Sequence, residues 1–162
     1  MQITVHLDLP RDARYVLLMR NVSHCLLSDL GAPHAAIDDI QLALSEACAN
    51  VVRHATGTHN YRVTLSARDS GCDIEVTDAG PGFEGAAVDN LGDGSELSPD
   101  DTPLNAESGR GLWLMQALVD DLFVVRRDGD NVVRLHKEWP PLDLSIGALE
   151  AARVEHRRSH HG

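Results

Sequence analysis

Leu44-Ser45-Glu46-Ala47-Cys48-Ala49-Asn50-Val51-Val52-Arg53-His54-Ala55 lies within a longer amphipathic segment. Ile37, Ile40, Leu44, Cys48, Val51 and Ala55 recur at three-and-four spacing, so the chain from Pro33 to Gly57 is expected to be a helix with one apolar stripe. Glu46, Asn50 and His54 recur at four-residue steps and share a second face of that helix. Asn is a mild misfit in mid-helix because its side chain competes for backbone hydrogen bonds, so its presence calls for a reason. Taken alone, this face also reads as the solvated side of a helix, because charged residues usually meet water.

Upstream, Ile3, Val5, Leu7 and Leu9 alternate with Gln2, Thr4, His6 and Asp8, the pattern of a half-buried strand that Pro10 ends. Arg11 to Leu30 repeats apolar residues at helical spacing, and Gly31 follows as a stop. Downstream, Tyr61 to Ala67 and Cys72 to Thr77 read as two strands around an Asp69-Ser70-Gly71 turn. Gly111 to Leu122 is expected to be helical. A closing hairpin then pairs Phe123–Arg127 with Val132–Glu138 about Asp128-Gly129-Asp130. Helices grouped among strands imply an α+β fold, a two-layer sandwich of a mixed, mainly antiparallel sheet covered on one face by helices. The domain is expected over 1–139. Residues 140–162 form an extension with a short helix and a loose tail, whose His156, His160 and His161 lack the partners of a zinc site.

With 162 residues, 43% hydrophobic and 4% aromatic, the chain suits one domain whose core is built from Val, Leu, Ile and Ala. A net charge of -11, with acids gathered between Glu84 and Glu107, disfavours nucleic acid as a partner because phosphates need clustered bases. Cys25, Cys48 and Cys72 are odd in number and widely spaced, which supports neither disulfides nor zinc; Cys48 lies on the apolar stripe as a small hydrophobe. No apolar run approaches the roughly 20 residues of a membrane span and no leader pattern is seen, so a cytoplasmic protein without membrane contact is expected.

Two further strings carry chemistry. Asp78-Ala79-Gly80-Pro81-Gly82-Phe83 follows an apolar strand, and its glycines allow backbone to approach a ligand, although alone it reads as a turn. Ser108-Gly109-Arg110-Gly111 opens a helix, where unpaired backbone amides and the positive helix end suit a phosphate; a single Gly-x-Gly is weak support for that. Between them, 83–108 is acidic, lacks Lys and Arg, and has no periodicity, as in a long flexible loop. Lys137 is the only lysine, so a Walker-type phosphate loop is excluded.

The order of these strings, Glu, Asn and His on a helix, Asp-x-Gly-x-Gly after a strand, a loop, then Gly-x-Gly at a helix, resembles the GHKL (Bergerat-fold) ATPases. Leu44 to Ala55, Asp78 to Phe83 and Gly109-Arg110-Gly111-Leu112-Trp113-Leu114-Met115 resemble in particular the RsbW-like anti-sigma-factor serine/threonine kinases. The resemblance implies ATP and Mg²⁺ as cofactors. It makes Glu46 the general base toward a serine or threonine hydroxyl, and Asn50 the ligand of the Mg²⁺ that bridges the phosphates. Asp78 takes the adenine amino group, with Gly80 and Gly82 beside the base. Ser108, Gly109, Arg110, Gly111 and Leu112 hold phosphates under an 83–108 lid, and His54 joins the nucleotide-binding set. The implied partners are a sigma factor and a STAS-domain anti-anti-sigma protein, with dimerisation expected of the family. An ATP sensor that regulates a partner without phosphorylating it is the alternative. A detached histidine kinase catalytic domain is disfavoured, because no dimerisation hairpin with a phosphoacceptor histidine is present in this sequence.

Overall fold

The computed structural model describes residues 1–54, 59–79 and 107–141, the side chains of 54 and 107–109 excepted. In chain order these residues form β1 (Gln2–Pro10), α1 (Arg14–Asp29), α2 (His34–His54), β2 (Asn60–Arg68), β3 (Gly71–Asp78), α3 (Glu107–Leu118), β4 (Asp121–Arg127) and β5 (Asp130–Glu138). The strands make one sheet in the order β1-β2-β3-β5-β4. The expected α+β sandwich is present, and every described pairing in its sheet is antiparallel.

Alternation along each strand sets the two faces of the sheet. Leu9 stands opposite Tyr61, Ile74 opposite Leu135 and Val124 opposite Val133, and these residues form a core with the helices. The other face carries charged pairs. There Arg62 meets Asp8 at 2.8 Å, Arg134 meets Glu75 at 2.9 Å and His136 meets Asp73 at 2.7 Å. The helix α2 packs between α1 and α3 and over β3 and β5. Its apolar stripe disappears from solvent, with Ile37, Ile40, Leu44, Cys48 and Val51 all buried. Each fully buried Leu or Ile contributes about 1.5–3 kcal/mol, which is why this stripe anchors α2 in register.

Local chemistry explains most element ends. α1 starts later than its apolar spacing suggests, because the Asp12 carboxylate accepts the Arg14 backbone N–H at 2.9 Å and pairs with its guanidinium at 2.8 Å. Gly31 ends α1 as expected: its φ of 75° is easy for glycine, and Ala32 donates back to the Leu27 carbonyl at 3.0 Å. The β4–β5 turn places Asp128 at φ 54° and Gly129 at φ 94°, the left-handed pair that a two-residue hairpin demands.

α3 departs most from the sequence reading, running from Glu107 to Leu118 rather than from Gly111 to Leu122. Its end is set from outside: Lys137 on β5 donates to the Leu118 carbonyl at 2.8 Å and pairs with Asp39 of α2 at 3.2 Å. The Asp120 N–H then joins the His136 carbonyl at 2.9 Å, and Leu122 enters the core as a strand residue opposite Leu135. Trp139 closes this end of the sheet, its indole N–H donating to the Asp69 carbonyl at 3.1 Å.

Candidate functional site

The second face of α2 is not a solvated one. Asn50 is 1% exposed, and among the described residues neither its amide nitrogen nor its amide oxygen has a hydrogen-bond partner. A buried amide of this kind costs about 1–3 kcal/mol if left unpaired, and such groups are normally satisfied by protein, water or an ion. Its oxygen is a hard donor of the kind Mg²⁺ prefers, and its NH₂ can donate to a phosphate oxygen. Asn50 therefore fits a metal–nucleotide pair.

One turn earlier, Glu46 keeps its side chain 21% exposed and accepts a hydrogen bond from Arg53 at 3.1 Å, two turns along the same helix. α3 also meets this carboxylate. A Cβ built on Gly111 would overlap a Glu46 carboxylate oxygen and lie 3.1 Å from the carboxyl carbon. The carboxylate thus occupies the space that glycine leaves.

Asp78 ends β3 on the helix-facing side of the sheet, 7% exposed. Its register partner across the sheet is Asn131 on β5, also 7% exposed, whose amide donates to the Asp78 carboxylate at 3.1 Å. That bond fixes the carboxylate's orientation at the strand end. Asn131 was not singled out from the sequence, yet a signal existed: Asn131, Val133 and Leu135 share one buried face, where an asparagine needs a polar partner.

The remaining candidates fall in different places. Ser108 and Gly109 lie in the first turn of α3, which makes the end of the 83–108 segment helical. Arg110 is exposed in that turn, whereas Leu112, 4% exposed, points into the core. His54 ends α2, with its side chain outside the described residues. Gly80, Gly82 and the rest of the expected lid to residue 106 also lie outside the described residues. Cys48 is inert: burial pushes its thiol up to about 12.

Comparison with known proteins agrees with this fold. The family described as Histidine kinase-like ATPase domain matches residues 9–137. The chain is 28% identical to the serine-protein kinase RsbW of Bacillus cereus (strain AH820) over 135 residues, 80% of this chain and 81% of that protein. It is 30% identical to the serine-protein kinase RsbW of Bacillus licheniformis over 133 residues, 79% of this chain and 81% of that protein. Among solved structures, the RsbU and RsbW domains of a Mycobacterium tuberculosis protein share its fold, with a TM-score of 0.61 and 21% identity over 86% of this chain and 34% of the other. A helix bearing Glu46 and Asn50 over an antiparallel sheet that ends in Asp78, matched along most of its length, shows that the chain belongs to the histidine kinase-like ATPase domain family, in the branch that includes RsbW.

Proposed function

We propose that this chain is an ATP-dependent serine/threonine protein kinase of the cytoplasm that controls transcription by partner switching, binding a sigma factor and phosphorylating a STAS-domain anti-anti-sigma protein. One observation carries the reading: Asn50, a buried amide without a partner among the described residues, stands one turn from a half-buried carboxylate, Glu46. Phosphoryl transfer needs mainly positioning and charge neutralisation, so few residues suffice. Asn50 would hold Mg²⁺, which would neutralise phosphate charge when bound. Asp78, oriented by Asn131, accepts a hydrogen bond from the adenine amino group, with Gly80 and Gly82 beside the base. The first turn of α3, with Ser108, Gly109 and the charge of Arg110, supplies amides and a cation to the phosphates.

Glu46 accepts the proton of the incoming serine or threonine hydroxyl as that oxygen bonds to the γ-phosphorus. The bond from the γ-phosphorus to the bridging oxygen breaks, and ADP leaves. The names of the RsbW relatives support this reaction class. An ATP sensor without transfer is the second reading, favoured by the absence of Lys and Arg from 83–108, which leaves that segment no base for the γ-phosphate.

Calorimetric titration with ATP, with and without Mg²⁺, tests the shared premise. Wild type binds, Asp78→Asn weakens binding, and Asn50→Ala abolishes the dependence on Mg²⁺. Mass spectrometry of a STAS-domain protein incubated with the chain and Mg-ATP then separates the two readings: a phosphoserine or phosphothreonine that disappears with Glu46→Gln supports the kinase, and binding without transfer supports the sensor. Absence of nucleotide binding would sink both.

A further inference from the structure

We propose that Gly111 and Arg53 are positioning residues for Glu46: the glycine supplies the space in which the carboxylate sits, and the guanidinium holds it there. The geometry stands by itself, and its catalytic consequence rests on the kinase reading of Glu46.

Three ordinary reasons for a glycine fail at position 111. Glycine in a helix is less stable than alanine, so helix formation alone would select against it. It is not needed for backbone conformation, because the described glycines with positive φ are Gly31 and Gly129, and Gly111 is not among them. Nor is it well placed to donate to a phosphate. α3 begins at Glu107, and only the first four N–H groups of a helix lack an intrahelical acceptor, so the fifth residue falls beyond them. What sets the position apart is the occupied space: Gly111 is buried, and the atoms that a Cβ would meet are the carboxylate, Cδ and Cγ of Glu46, the last two at 3.1 and 3.2 Å.

Arg53 completes the seat, 3.1 Å from a Glu46 carboxylate oxygen. Its side chain is 41% exposed, and an exposed pair of this kind contributes little to stability. Its effect is on orientation, which is what a base must have relative to the hydroxyl it deprotonates. A methyl at position 111 meets the flexible end of a side chain rather than backbone, so the fold tolerates it and the carboxylate moves instead.

The seat is tested first without nucleotide, by thermal melts of the full chain as wild type, Gly111→Ala, Glu46→Ala and the double variant. In the Glu46→Ala background the methyl has room, so Gly111→Ala raises Tm there by more than it does in wild type; equal increments overturn the seat whatever the chain catalyses. The catalytic consequence is read with ATP by calorimetry and with single-turnover phosphate transfer from Mg-ATP to a STAS-domain protein. Gly111→Ala and Arg53→Ala keep the ATP Kd within about twofold and slow transfer by about tenfold or more, and Arg53→Lys recovers part of the rate. If either variant loses ATP affinity in step with rate, that residue contacts the nucleotide and its positioning role is overturned. If wild type transfers nothing, the kinase reading falls on its own, while the melts still decide the seat.

Discussion

Asn50 is the residue that folding alone gives least reason to keep. Its amide is buried with no partner among the described residues, and helix propensity also disfavours it. Replacement by leucine, which has the same branched heavy-atom skeleton, removes the desolvation cost. Urea unfolding of nucleotide-free Asn50→Leu is therefore expected to show stability raised by about 1–3 kcal/mol, while Mg²⁺-dependent ATP binding is lost. A variant that is destabilised and still binds Mg-ATP would remove Asn50 from the site. Asp78 is the contrasting case, a buried carboxylate whose neighbour strand brings Asn131 to it at 3.1 Å.

At the scale of elements, the polar face of the sheet ties β3 to β5 through charge. His136 on β5 lies 2.7 Å from Asp73 and 3.4 Å from Glu138. Burial opposes the charged ring, but the hydrogen bond and charge of Asp73, with Glu138, more than offset both burial and the repulsion of Arg68, so the pKa is raised above 6.5. The sign follows from linkage: a raised folded-state pKa gives a stabilisation fully present below the unfolded value of 6.5 and lost as pH rises through the folded value. Urea unfolding of wild type and His136→Gln is expected to differ more at about pH 5.5 than at about pH 8.5. A gap that is constant with pH would mean that His136 contributes packing and no charge.

For the molecule as a whole, the core separates the three thiols. Cys25 is exposed on α1, whereas burial pushes Cys48 and Cys72 each up to about 12. A thiol reagent such as DTNB is expected to modify one cysteine quickly in the native chain and the other two only after unfolding, at the rate of global opening. Fast reaction of all three would mean that α2 and β3 detach far more readily than their burial implies.

The sequence by itself determined what depends on neighbours along the chain. The stripe from Ile37 to Val51, the alternation of β1, the Gly31 stop and the Asp128-Gly129 turn each follow from a local period or a local φ, and all are found in the structure. It also placed Glu46 and Asn50 on one helix face, because four-residue spacing requires it. Tertiary structure decided the rest. The spacing of Leu118, Val119 and Leu122 fits a continuing helix, and only the bonds of Lys137 and Asp120 with Leu118 and His136 turn that chain into a strand. Register across β3 and β5 brings Asn131 to Asp78, and packing of α2 against α3 brings Gly111 to Glu46. Both are meetings of residues distant in sequence, which periodicity along one segment cannot encode and which form only when separate elements bury their apolar faces together.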